Sequence, residues 1–212
     1  MSALIQKLHP ALYPGARLTL DDTRRPLFSR QGDWDAGSAL HCAAMALAML
    51  GRLPDPVNVR GYASGPVPHF WDRAWPHYLH GLTPSELAAF VWELDAGVQP
   101  VPLEGSADEL ARLCVLELAA GWPVLVWIVN CRTDERHAAL VVGIEEHDAI
   151  PTTLLLLDPA GAAPVLAACN ARLEFGGANA SYITAEATVK AGVDGAVSIR
   201  LLDAEATGAD CV

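Results

Sequence analysis

Three apolar runs in close succession decide the fold: Trp122-Pro-Val-Leu-Val-Trp-Ile-Val129, His137-Ala-Ala-Leu-Val-Val-Gly-Ile144 and Thr153-Leu-Leu-Leu-Leu157. Each is strand-length, rich in Val, Ile and Leu, and bounded by polar or turn-forming residues, which predicts three buried strands. Ser181 to Val189 alternates more openly. Ala196 to Leu202 follows across a glycine-containing turn, so the pair predicts an edge hairpin.

Upstream of Gly121 the pattern is helical. Ser38 to Leu50 is rich in Ala, Leu and Met and is closed by Gly51, a residue suited to a left-handed cap. Thr83-Pro-Ser-Glu86 is a capping box with proline at the first helical position, predicting a helix to about Leu94. Gln99 to Leu103 reads as a short strand. Ser106 caps a further helix, with Leu110, Leu113, Cys114 and Leu118 at helical spacing. Residues 52–82 carry five prolines, three glycines, two tryptophans and three histidines (His69, His77, His80), which predicts a long irregular loop insertion. Helices first and strands afterwards favour an α+β fold, N-terminal helices packed on an antiparallel β-sheet, in a single domain spanning 1–212.

Composition narrows the function classes. With 52% hydrophobic and 18% charged residues the chain is globular rather than disordered. Its 14 basic against 25 acidic residues give a net charge of −11. That disfavours nucleic acid and anionic membranes as partners, which need basic surfaces. No apolar run reaches membrane-spanning length, and MSALIQKLHPALYPG lacks the pattern of a signal peptide, so a soluble, cytoplasmic protein is expected. Five cysteines (Cys42, Cys114, Cys131, Cys169, Cys211) show no CxxC or Cys/His ligand spacing. They support neither a disulfide framework nor a zinc site, and Cys42, Cys114 and Cys169 read as small buried residues.

The chemistry-bearing residues gather around the first helix. Ser38 stands at its N-terminus, where unpaired N–H groups and the helix dipole stabilise a thiolate or a developing oxyanion. Gly37 before it permits close backbone approach. His137 opens one predicted strand and Asp158 ends the next, so the carboxylate can orient the imidazole as a general base. Gln31, just upstream, carries an amide able to donate to an oxyanion. Each residue also has a plain structural reading. Serine is a preferred helix cap, strand-end histidines are commonly structural, Asp158-Pro159 is a turn signal, and Cys42, one turn past Ser38, reads as core.

Gln31-Gly-Asp-Trp-Asp-Ala-Gly-Ser38-Ala-Leu-His-Cys42-Ala-Ala-Met45-Ala-Leu47-Ala-Met-Leu50-Gly51 resembles the first motif of papain-like cysteine peptidases of the bacteriocin-processing, double-glycine type. In that motif a glutamine precedes a Cys-Gly pair that opens a helix ending in Leu-Gly. Counting back from Leu50-Gly51 puts Ser38 at the family's cysteine. A second register, on Asp35-Ala36-Gly37, puts Ala36 there instead. Ala120-Gly121-Trp122-Pro123-Val124 resembles the family's Gly-x-Pro-Val strand, His137-Ala-Ala-Leu-Val-Val-Gly143 its histidine motif, and Leu155-Leu-Leu-Asp158-Pro159 its aspartate motif. The resemblance covers about residues 30–161. It implies a papain-like fold and hydrolysis of peptide or amide bonds by acyl transfer, with Ser38, His137, Asp158 and Gln31 as the catalytic set, a peptide or protein as substrate, and no metal or organic cofactor.

Serine in place of cysteine admits three accounts. They are a deliberate exchange, a natural serine nucleophile, or a catalytically silent pseudopeptidase that binds or regulates. A serine hydroxyl needs its proton removed by the base, whereas a helix-terminal cysteine is a thiolate beforehand, so an impaired enzyme is expected.

Overall fold

The three apolar runs do form strands, and they are apolar throughout because both of their faces are covered. In the computed structural model, which describes residues 3–32, 36–58, 64–148, 150–175 and 179–202, the runs become β5 (Val124–Asn130), β6 (Arg136–His147) and β7 (Ile150–Leu157). Along β5, Val124, Val126 and Ile128 enter one buried cluster while Leu125 and Trp127 enter another on the opposite face. A strand buried on both sides loses the polar alternation of a half-exposed one.

The sheet closes on itself. β8 (Ala171–Glu174), β9 (Ala180–Thr184) and β10 (Thr188–Leu201) follow β7, each antiparallel to its neighbour, and β10 returns to pair with β5. The ring β5-β6-β7-β8-β9-β10 is a six-stranded antiparallel barrel. The expected α+β arrangement, papain-like helices packed on an open sheet, is therefore not what forms. Closure depends on β10, which is 14 residues long. Its first residues pair with β9, Ala191 to Ser198 pair with β5, and Ala196 to Leu201 pair with β4 (Val98–Leu103). A register shift between Val193 and Gly195, and two more in the β6–β7 pair, bend the strands and increase their twist. Nothing in the hydrophobic pattern announces a bulge, so the pattern yields strands without their closure.

α4 (Ala107–Ala119) adds Leu110, Cys114 and Leu118 to the inner cluster. On the outer face, α1 (Ser38–Met49) is buried along its whole length against Leu125, Leu140 and Leu155. A helix apolar all round is one enclosed on every side, and its five alanines let neighbouring elements approach closely. α3 (Pro84–Glu93) packs beside it. The expected capping box of Thr83 with Glu86 forms, and Ser106, expected as a cap, forms one with Glu109 as well.

Other expectations change. Residues 52–82 hold α2 (Pro66–Ala74) and one 3-10 turn (Trp75–His77), so the predicted loop is partly helical; α2 buries Phe70 and Trp71. The strand expected over Ser181–Val189 turns back between Thr184 and Thr188. Before Gln31, β1 (Leu4–Leu8) pairs with β6, and β2 (Leu12–Tyr13) with β3 (Thr19–Leu20). Cys42 and Cys114 are buried and Cys169 is only half-buried, while Cys211 lies outside the described residues. Among the described residues no helix is long and apolar enough to cross a membrane.

Candidate functional site

The strand ends bring His137, Asp158 and Tyr182 together at the rim of the barrel. Tyr182 Oη donates to Asp158 Oδ2 at 2.5 Å, and His137 Nε2 lies 3.2 Å from Tyr182 Oη and 3.7 Å from the same carboxylate oxygen. The phenol has one proton and gives it to Asp158. The proton of the second bond must then come from His137 Nε2, an assignment that follows from the bonding network. In the neutral ring Nδ1 is then the nitrogen without a proton, and it has no partner among the described residues. Burial raises the Tyr182 pKa, and the adjacent Asp158 charge and the hydrogen bond to it raise it further, so the phenol remains a donor. Asp158 thus orients the imidazole mainly through a tyrosine.

Asp158 is itself fixed. Its Oδ1 accepts from the Ala160 N–H at 2.9 Å, and Asn170 brackets its backbone, accepting from its N–H at 2.7 Å and donating to its carbonyl at 2.8 Å. Gln31 is held to the same turn, its N–H donating to the Pro159 carbonyl at 3.0 Å. The Gln31 side-chain oxygen is buried and has no hydrogen-bond partner among the described residues. A cleft of about 480 Å³ opens beside Asp158, between residues 160–170 and β9.

Ser38 occupies the first residue of α1, after Gly37 as cap, and caps nothing with its side chain. Its hydroxyl accepts from the Ala138 N–H at 3.0 Å. The β5–β6 register shows what this means. Ala138 pairs with Trp127 on the face that meets α1, whereas His137 pairs with Ile128, which belongs to the barrel interior. Successive strand side chains point to opposite faces, so Ser38 meets the backbone of β6 while the His137 ring turns toward Tyr182. No hydrogen bond joins Ser38 Oγ to the His137 ring. Ala36, the nucleophile position of the second register, is exposed, and its N–H donates to the Tyr78 carbonyl at 2.9 Å. Its neighbour Asp35 lies outside the described residues.

Cys42 is fully buried one turn along α1, its thiol directed at the Ala138 carbonyl at 3.6 Å. Burial, and then the Asp158 charge, push its pKa well up, so it is a thiol and not a thiolate. Among the described residues no group of three or more His, Cys, Asp or Glu side chains is placed to hold a metal ion.

Sequence reasoning missed Tyr182 and Asn170. Tyr182 belongs to an alternating run that gives no sign of which side chain faces Asp158. Asn170 lies twelve residues past Asp158 with no motif around it. No family model matches the chain, and no curated protein shows significant similarity to it.

Proposed function

We propose that this chain is a peptide-binding module carrying the base and orienting groups of an amide-bond hydrolase without a working nucleophile. The observation that carries this reading is the Ser38 hydroxyl, bonded to the Ala138 amide on the face of β6 away from the His137 ring. Acyl transfer needs a nucleophile within hydrogen-bond reach of its base. A general base alone is present: in the neutral His137 ring Nδ1 is free to accept a proton, and the ring is steered by Tyr182 and Asp158. The buried Gln31 oxygen, without a partner among the described residues, and the cleft beside Asp158 favour a ligand rich in N–H donors, such as an extended peptide. The order of the four motifs that resemble double-glycine peptidases supports descent from an enzyme of that chemistry. Unpaired cysteines favour a reducing compartment, and we place the protein in the cytoplasm.

Single-cysteine exchange tests the reading. In a background with Cys131, Cys169 and Cys211 each changed to Ser, which leaves the buried Cys42 and Cys114 as the native thiols, Ser38→Cys should resist iodoacetamide, as expected of a side chain enclosed by α1 and β6. The parent chain should release no fluorophore from amide substrates. Peptide hydrolysis that disappears in Ser38→Ala, or rapid alkylation of Ser38→Cys that is lost with His137→Ala, would show a functional nucleophile and overturn the proposal. Alkylation of Ala36→Cys that depends on His137 would locate the vanished nucleophile at the loop before α1.

A further inference from the structure

The chain's acidity is unevenly spread. Acidic residues outnumber basic ones 25 to 14, yet Arg17, Arg24, Arg25 and Arg30 fall within the segment leading into Gln31, against only Asp21 and Asp22. Arg24 and Arg25 are engaged internally. Arg24 pairs with Asp21 at 3.4 Å and covers the Tyr13 ring, and Arg25 donates to the Pro54 carbonyl at 3.0 Å. Arg17 makes no ion pair with any described residue. Together with Arg30 it lines a cavity of about 440 Å³ whose other walls, among them Phe28, Val57, Ala162 and Pro164, are apolar.

Ala162 and Pro164 also wall the cleft beside Asp158, so the two hollows meet across one loop. That loop is pinned to the arginine-bearing segment: Leu166, at φ 54°, donates its N–H to the Gly15 carbonyl at 3.0 Å. A left-handed leucine is costly and persists only where its surroundings hold it. The same loop presents Val165 and Leu166 to solvent, 70% and 79% exposed.

We propose that the Arg17–Arg30 cavity is a subsite for a carboxylate on an apolar-flanked residue of the peptide bound beside His137. Guanidinium groups recognise carboxylates by paired, charge-assisted hydrogen bonds, and the apolar walls offer contact to the hydrocarbon part that carries the carboxylate. The placement of the subsite next to His137 rests on the function proposed above; the binding of a carboxylate in the cavity does not.

Three probes test it by ¹H–¹⁵N NMR titration of the whole chain: hydrocinnamate, which stands for an acidic side chain, N-acetylphenylalanine, which stands for a chain-terminal carboxylate, and the neutral N-acetylphenylalaninamide. At least one carboxylate should shift the Phe28 and Val57 amides with a Kd about tenfold below that of the amide, the worth of a charged hydrogen bond. The tighter of the two identifies the source of the carboxylate. Arg17→Gln, checked for an unchanged spectrum when unbound, should weaken binding about tenfold, and His137→Ala should leave it unchanged. Equal binding of the neutral amide, no effect of Arg17→Gln, or no shift at Phe28 and Val57 at millimolar probe would overturn the proposal. Carboxylate binding that survives in a chain with demonstrated Ser38-dependent hydrolysis would sink the silent-module reading alone.

Discussion

Tyr182 shows how much of this site is decided by single atoms. Its hydroxyl gives Asp158 Oδ2 a 2.5 Å hydrogen bond and takes one from His137, so one phenol links a buried carboxylate to a half-exposed imidazole. Tyr182→Phe leaves that carboxylate oxygen without its close donor, and urea denaturation should show a loss of about 1–3 kcal/mol. Ser38→Ala, which deprives the Ala138 N–H of its acceptor, should cost about 1 kcal/mol by the same measurement. His137 and Asp158 were legible in the sequence because each stands at the end of an apolar run. Ser38 was legible as the start of a helix. The face of β6 that its hydroxyl meets was not, because side-chain facing depends on which residue pairs with which on the neighbouring strand.

Elements were read best where their signals are local. Thr83 and Ser106 form their capping boxes with Glu86 and Glu109, three residues away, and need no information from the rest of the chain. Thr83→Ala should destabilise the protein by about 1 kcal/mol. Gly143 is the opposite case. It reads as one residue among the apolar ones of β6, yet a Cβ there would lie 2.7 Å from the Lys7 carbonyl and 2.8 Å from Leu8 Cδ2, because β1 crosses at that point. Gly143→Ala should cost about 1–3 kcal/mol, and amide exchange should speed up first in β1. The β1 strand itself was invisible, since Leu4 and Ile5 are exposed and its stability comes from pairing with β6. α2 was hidden by its two prolines, Pro66 and Pro68, which both occupy the first helical turn, where a missing N–H is harmless.

At the scale of the whole molecule, His9 couples stability to pH. Its Nε2 lies 3.0 Å from the Gly121 carbonyl and its Nδ1 accepts from the Ala11 N–H at 3.1 Å, an arrangement that fits the neutral ring. Burial lowers its pKa from the ordinary 6.5, and the bond to Gly121 offsets this only in part. The unfolded chain therefore takes up this proton first as pH falls, so stability is full above about pH 6.5 and declines below it. Tm should fall between pH 7 and pH 5, and His9→Gln should flatten the slope. Glu86 and Glu109, held below 4.5 chiefly by the hydrogen bonds of their capping boxes, act in a separate and more acidic window.

The helices α1, α3 and α4 with two of their caps, the apolar cores of β5, β6 and β7, and the placement of His137 and Asp158 at strand ends could all be read from the chain. These follow from hydrogen bonds a few residues long and from the period at which a chain turns its side chains toward and away from water. It took the folded molecule to show that β10 bends through its bulge to close a barrel, that β1 covers Gly143, and that Tyr182 stands between His137 and Asp158 while Ser38 faces a backbone amide. Strand pairing joins residues tens of positions apart, and a one-residue change of register reverses every side chain. The chemistry of this site depends on that choice of face.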